Sequence, residues 1–431
     1  MNSSLKTNEA INLGRTGQAV IPPSKPADAK RKPAPSRFTL DGRKMSVVVL
    51  IEPAALEAYL PELEDLAANA IEPNIFYEPW ILWPSLKAFG HDRQFFFALV
   101  FAPTLDHPHA PQTLCGFFPL VRERRYKGLP VSVLRLWKHR YCLLCTPLIR
   151  TEHASECLKA FFKWLADPDH LNAANCAVVE LREITGDGPF HTLLADYLYN
   201  STRLSYMEDI HVRAFFRPAE NAEVYLSRAL SGRRRKDMRQ QAKQLAGVGR
   251  IEYKELTEQD DVDQWMSDFL SLEASGWKGR NGSAIASLEK DREFFLEIAR
   301  EGFRRGRLRM RSLNLNGQPI AQKLDLVAGR AGFAFKIAYD ESYSRFSPGV
   351  LLELENLRRL HEEGQFDWVD SCAVPDHFMI NRLYTSRRVI QTVVIAAGRN
   401  PGGLIVSILP LLRWLNRLLR RRKSRAPQHE H

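Results

Sequence analysis

Residues 333–388 constrain the fold most, because strand-like and helix-like patterns alternate there with little connecting sequence. The run Phe333-Ala334-Phe335-Lys336-Ile337-Ala338-Tyr339 is aromatic and apolar, as a strand requires. A turn from Asp340 to Gly349 follows, and a helix opens at Val350 and runs toward Glu363-Gly364. Trp368-Val369-Asp370-Ser371 reads as a second strand, with Asn381-Arg382-Leu383-Tyr384 on a further helix. Strands and helices in this order build a layered α/β fold with reactive side chains at strand ends. A turn of small residues at a bare helix N-terminus is an anion site, because unpaired N–H groups and the helix dipole face the ligand. Such a turn suits the pyrophosphate of a nucleotide-bearing cofactor.

The chain of 431 residues exceeds one ordinary core; domains of roughly 100–200 residues imply two. Its net charge of +11 suggests nucleic acid until it is located. Residues 1–46 carry +6 and residues 399–431 carry +7, which leaves 47–398 at −2. A nucleic-acid site normally sits on the folded domain, so nucleic acid is not an expected partner of the core. The six cysteines are too few and too scattered for a secreted disulfide framework. Cys142 and Cys145 have zinc-like spacing but no second pair, so no metal is expected. The N-terminus lacks a signal-peptide core, and no run approaches the ~18 apolar residues of a membrane span. A cytoplasmic protein is expected.

Residues 1–43, rich in Pro, Ser, Ala and Lys, form an expected disordered basic arm. From Met45 a first half, 44–215, alternates strands and helices; a second half, 216–398, repeats the order around a mixed sheet. The repeat rests on element order, since the halves share little sequence. Residues 399–431 form a basic amphipathic tail (Leu404, Ile405, Ile408, Leu409, Trp414, then Arg420 to Lys423). It either docks on the protein or lies peripherally on an anionic inner-membrane surface.

The second half resembles the acetyltransferase fold of the GNAT superfamily, in its BioF2-like or CelD-like branch, related to the FemAB aminoacyl transferases. The resemblance rests on Lys336 to Asp340, on Tyr343 to Leu352, on Val369 to His377, and on Glu273 to Gly279 with its Trp277-Lys278-Gly279 block. It implies two tandem GNAT-like lobes with α/β mixed sheets. It also implies transfer of an acyl group from acetyl-CoA or another acyl-CoA to an amine or hydroxyl. The acceptor would be a small molecule, a saccharide or a cell-envelope precursor, and polysaccharide synthesis is the frequent context. The cofactor-binding positions would be Arg345, Ser347, Gly349, Val350 and Leu351. The chain departs from the superfamily turn, with Pro348 and Val350 where glycines usually stand. FemAB proteins also lack that turn, so aminoacyl-tRNA remains the alternative donor, and a non-catalytic membrane-surface scaffold a third reading.

The resemblance makes Tyr384 the acid that protonates the leaving thiolate; a phenol of pKa about 10 can supply a thiolate of pKa about 8.5 when both are held. Asp370, at a strand end, would accept the proton of the attacking group or orient it. Asp376 and His377 follow in a loop, with Asp376 alternatively a helix N-cap. Lys336 is charged within an apolar strand, so it either neutralises a substrate anion or pairs with Asp325. Glu273, Trp277 and Lys278 would line the acceptor side, with the core as the alternative place for Trp277. Arg235, Arg239 and Lys243 share one helix face, which suits a phosphorylated acceptor, tRNA, or plain solvent.

Overall fold

The computed structural model describes residues 36–39, 45–103, 112–167, 176–398 and 401–423. Most of the expected disordered arm, with 424–431 of the tail, lies outside them.

In the first half the order is β1 (Ser36–Thr39), β2 (Ser46–Leu50), α1 (Leu60–Ala68), α2 (Pro79–Phe89), β3 (Gln94–Phe101), β4 (Leu114–Glu123), β5 (Val133–Leu136) and β6 (Leu148–Ile149). Then come α3 (Ala154–Ala166), β7 (Val178–Thr185), α4 (Pro189–Asn200) and β8 (Ser205–Phe216). The second half runs α5 (Ala222–Ala229), α6 (Gly232–Ala246), β9 (Ile251–Glu255), α7 (Val262–Ser275), α8 (Trp277–Arg280) and α9 (Glu289–Arg304). It continues through β10 (Leu308–Leu315), β11 (Gln318–Ala328), β12 (Ala331–Tyr339), α10 (Pro348–Glu363), β13 (Trp368–Asp370), α11 (Ile380–Leu383) and β14 (Ser386–Ala396). Helix α12 (Gly402–Lys423) follows.

From β2 and from β9 the two halves repeat one order, apart from the extra two-residue β6 in the first: strand, helices, three strands, helix, strand, helix, strand. Their sheets are not separate, however. One continuous sheet runs β1-β2-β3-β4-β5-β7-β14-β8-β13-β12-β11-β10-β9, with β6 beside β4. The last strand of each half is exchanged: β14 pairs with β7, and β8 pairs with β13. The two exchanged strands pair with each other in the centre, from Ser386↔Phe215 to Ile395↔Ser205. Sequence order suggested a sheet for each half; the exchange merges them.

Local chemistry explains the elements. Phe95 to Phe101 on β3 are all buried, the continuous apolar run of a strand covered on both faces. On α9 the buried residues Phe294, Phe295, Ile298, Ala299 and Gly302 form one stripe against the first half. The polar sequence from about Ala222 to Leu245 has the pattern of one helix, but the structure breaks it in two. Leu230 is extended, and the Ser231 hydroxyl accepts from Arg234 N–H at 3.3 Å to start α6 afresh. Helix α12 docks through Ile405, Val406 and Leu409, while Leu404, Leu411 and Trp414 stay exposed.

Candidate active site

Strands β12 and β13 run parallel but pair only over Ala331↔Trp368, Gly332↔Val369 and Phe333↔Asp370. Strand β13 ends at Asp370 while β12 runs on to Tyr339, so beyond Phe333 the β12 edge has no ladder partner on that side and borders a wedge. Helix α10 starts at the open end, after the 3-10 turn Glu341–Phe346. A wedge of this kind exposes unpaired main-chain N–H and C=O groups to whatever enters it.

The first half has the equivalent parallel pair, β5 with β7, matched from Val133↔Val178 to Arg135↔Glu180. There the chain after β5 folds back on itself instead of turning directly into a helix. Cys145 N–H bonds the carbonyl of Glu183 on β7 at 2.9 Å, and Trp137, Cys142, Leu144 and Cys145 are buried. That wedge is filled by its own loop. The second-half wedge is the one bordered by a short connection, whose Asp340 N–H bonds the Ile320 carbonyl at 2.9 Å.

Two blocks separated in sequence meet beside the wedge. Trp277 N–H donates to Glu341 Oε1 at 2.8 Å and Arg280 donates to Glu341 Oε2 at 2.6 Å, which ties α8 to the turn before α10. Glu273 is buried, accepts from Lys278 Nζ at 2.6 Å and takes Ile285 N–H at 2.9 Å. Trp277 is 53% exposed, so it is a surface face and not core.

Lys336 points to the same side. It does not pair with Asp325: that carboxylate is taken by Lys323 at 2.9 Å, and Asp325 faces Ala334 across a bulge in β11–β12. The Lys336 ammonium sits 5.1 Å from the centre of the Tyr141 ring, contributed by the first half. Among the described residues it has no ion pair or hydrogen-bond acceptor. Burial pulls its pKa down to about 8; Lys278 adds to the shift, while Glu273, Cys372 and Asp291 oppose it. Tyr141 in turn donates to Asp291 Oδ2 at 2.6 Å, and Arg140 donates to the same oxygen at 2.7 Å. Burial and then Asp291 push the Tyr141 phenol up, so it stays protonated.

The expected cofactor turn is less open than its sequence suggests. Ser347 adopts a left-handed backbone, φ +54°. Its N–H bonds the Ser344 carbonyl at 2.9 Å, and its own carbonyl takes Val350 N–H at 2.9 Å and Leu351 N–H at 3.1 Å. Pro348 has no N–H to offer. The amides expected to face a diphosphate are therefore mostly used within the turn, with Gly349 the remaining donor among the described residues. Leu351 packs with Leu245, Phe346 and Leu352, and Val350 against a separate apolar cluster with Leu354 and Leu357, while Arg345 is exposed, its guanidinium 4.5 Å from the Phe346 ring centre.

Asp370 and Tyr384 lie inside the protein. The Asp370 carboxylate accepts from Arg213 at 2.6 Å and Arg388 at 3.0 Å, and its other oxygen takes Cys372 N–H at 2.9 Å. Burial acts to raise its pKa, but the two guanidiniums outweigh it and hold the carboxyl below its usual range. A carboxylate already holding two cations is a poor base, so the geometry makes Asp370 structural. Tyr384 is fully buried and donates to Glu353 Oε1 at 3.1 Å. Burial and then Glu353 drive its phenol well above the ordinary value, and its hydroxyl faces α10 and not solvent. Asp376 is not the N-cap of α11, a position held by Met379; His377, two residues before that, accepts Ile380 N–H on its Nδ1 at 3.3 Å. Asp376 is exposed in that loop.

Tyr141, Asp291, Arg213 and Arg388 carry no local motif. Of these only Arg388 leaves a signal in sequence, a charge at the start of a strand that turns mostly apolar from Val389.

Residues 232–378 match the family described as the acetyltransferase (GNAT) domain. No curated protein matches the chain. Among solved structures, FemX aligns at 10% identity over 78% of this chain and 95% of that one, with a TM-score of 0.49. A tandem GNAT protein from the clavulanic acid biosynthesis pathway aligns at 12% identity over 82% and 99%, TM-score 0.41. A conserved protein of unknown function from Bacteroides thetaiotaomicron aligns at 10% identity over 79% and 96%, TM-score 0.47. The match to the acetyltransferase (GNAT) domain thus falls within the second half, on the residues that carry β9 to β13 and the wedge.

Proposed function

We propose that the second-half wedge transfers an acyl group from an acyl-CoA, acetyl-CoA foremost, to an amine or hydroxyl of a small-molecule or saccharide acceptor. The observation that carries this reading is the contrast between the wedges: the first is closed by its own loop, the second leaves the β12 edge unpaired beside a helix start. The thioester carbonyl would lie along that edge, where a free N–H polarises it as negative charge develops. Lys336, near half-neutral at pH 8, takes the proton of the nucleophile as it attacks the carbonyl carbon. The C–S bond then breaks, and the ammonium returns the proton to the departing thiolate. The exposed Trp277 indole, beside the Glu273–Lys278 pair, offers an aromatic face to a sugar ring or an aliphatic chain.

Aminoacyl-tRNA as donor has one observation of its own, the internally bonded turn at Ser347, which weakens the usual diphosphate grip. Incubation with acetyl-CoA labelled in the acetyl group, against aminoacyl-tRNA labelled in the amino acid, separates the two. The acyl-CoA reading expects the acetyl label to move to an acceptor amine or hydroxyl. Movement of the aminoacyl label alone overturns it.

A further inference from the structure

A cavity of about 140 Å³ opens between α5, α6, α10 and the edge of β9. Its floor is apolar, with Leu230 and Met238 facing Leu351 and Leu354, and the Tyr253 ring borders it. Arg235 and Arg239 of α6 also line it. Neither forms an ion pair among the described residues, and Arg235 Nε is buried without any acceptor. A buried guanidinium donor left unpaired costs free energy unless a ligand supplies the acceptor. The remaining charges are Arg358, already bonded to Glu355 at 3.3 Å, and Glu223. An apolar floor, an aromatic ring and two free guanidinium forks suit a phosphorylated nucleoside, since Arg binds phosphate in bidentate fashion.

The position of the cavity connects it to the wedge. Leu351 lies in the first turn of α10, at the open end of the wedge, and also lines the cavity. Helix α6 touches the 3-10 turn just before α10, where Gln241 Nε2 donates to the Arg345 carbonyl at 3.5 Å. We infer that this cavity binds the adenosine phosphate end of the acyl donor. Side chains of α6 thereby take over the anion recognition that the internally bonded turn at Ser347 gives up. The inference rests on the reading of the wedge as the donor site, and the shared chemistry, an adenosine phosphate, occurs in both CoA and the 3′ end of tRNA.

Isothermal titration of the full chain, wild type and the double variant Arg235→Gln, Arg239→Gln, tests it. The probes are CoA, adenosine 3′,5′-bisphosphate, pantetheine and an RNA hairpin ending in an acceptor-stem 3′ adenosine. An unchanged melting temperature and circular dichroism spectrum establish that the variant is folded; if it is not, Arg239→Gln alone, at an exposed position, replaces it. The expected result is at least tenfold weaker CoA and bisphosphate binding in the variant with pantetheine unaffected. Binding of the hairpin but not CoA to wild type, with the same loss in the variant, supports the cavity and overturns the CoA reading. Equal CoA affinity in both proteins overturns the cavity and leaves the donor reading standing. Binding of no probe to wild type overturns both.

Discussion

Replacing Asp370 by alanine is expected to destabilise the protein by about 3–5 kcal/mol, the cost of leaving a buried ion pair's partners uncompensated. Arg213, Asp370, Arg388 and Glu72 are all buried and form one chain of charge. Arg388 bridges Asp370 and Glu72, and Arg213 also donates to the Leu143 carbonyl at 2.7 Å. Glu72 accepts in addition from Thr185 Oγ1 at 3.0 Å. Glu72 and Arg213 belong to the first half, and Asp370 and Arg388 to the second, so the network holds the exchanged strands β8 and β14 in place. Removing the carboxylate leaves two buried guanidiniums without their shared counter-charge. Asp370→Asn keeps the shape and should lose less. Because the folded pKa of Asp370 is held down, its contribution is fully present above the unfolded pKa of about 3.9 and is lost only as pH falls through the folded value. Urea melts at pH 7 and pH 3 measure both effects. A loss under about 1 kcal/mol at pH 7 would remove the network from the account of how the halves are joined.

Lys336→Met is expected to lower kcat/KM about 10²–10⁴-fold, the usual contribution of a positioned proton carrier. The same change should make the protein more stable at neutral pH. The lysine's pKa falls from 10.5 to about 8 on folding, so at pH 7 the fold keeps a charge in an unfavourable site. The sign follows from linkage: between about pH 8 and pH 10.5 the unfolded chain binds more protons, and wild-type stability rises with pH there. Methionine removes a penalty of about 1–3 kcal/mol below pH 8, and the advantage fades as pH approaches 10.5. Wild-type activity should climb as pH passes about 8, and the variant's residual activity should lose that inflection. Loss of activity together with loss of stability would mean that Lys336 is structural.

The strand–turn–helix of 333–363 was legible because its signals are local: an aromatic and apolar run, a Pro-Gly helix entry and a leucine stripe. The repeated element order was legible for the same reason. The exchange of β8 and β14 was not, since pairing partners far apart in sequence leave no periodicity to read. Asp370 looked reactive because a carboxylate at a strand end is often a ligand group. Its Arg213 partner lies 157 residues away, and only the fold brings it close. Lys336 was noticed as an anomaly, a charge in an apolar strand. The alternative pairing with Asp325 fails because the register sets Lys336 opposite Leu324 and Asp325 opposite Ala334, and Lys323 takes that carboxylate. The turn at Ser347 misled in a subtler way. Sequence shows which residues have amides to give, but whether those amides are already bonded depends on a left-handed Ser347 that only geometry displays.

Hydrogen–deuterium exchange of the full chain with and without saturating acetyl-CoA tests the central claim most directly. The account predicts new protection along 334–339 and at the start of α10, near 347–352, and no change along 133–147 or 178–185. Protection confined to the first-half segments, or none in either half, would contradict it.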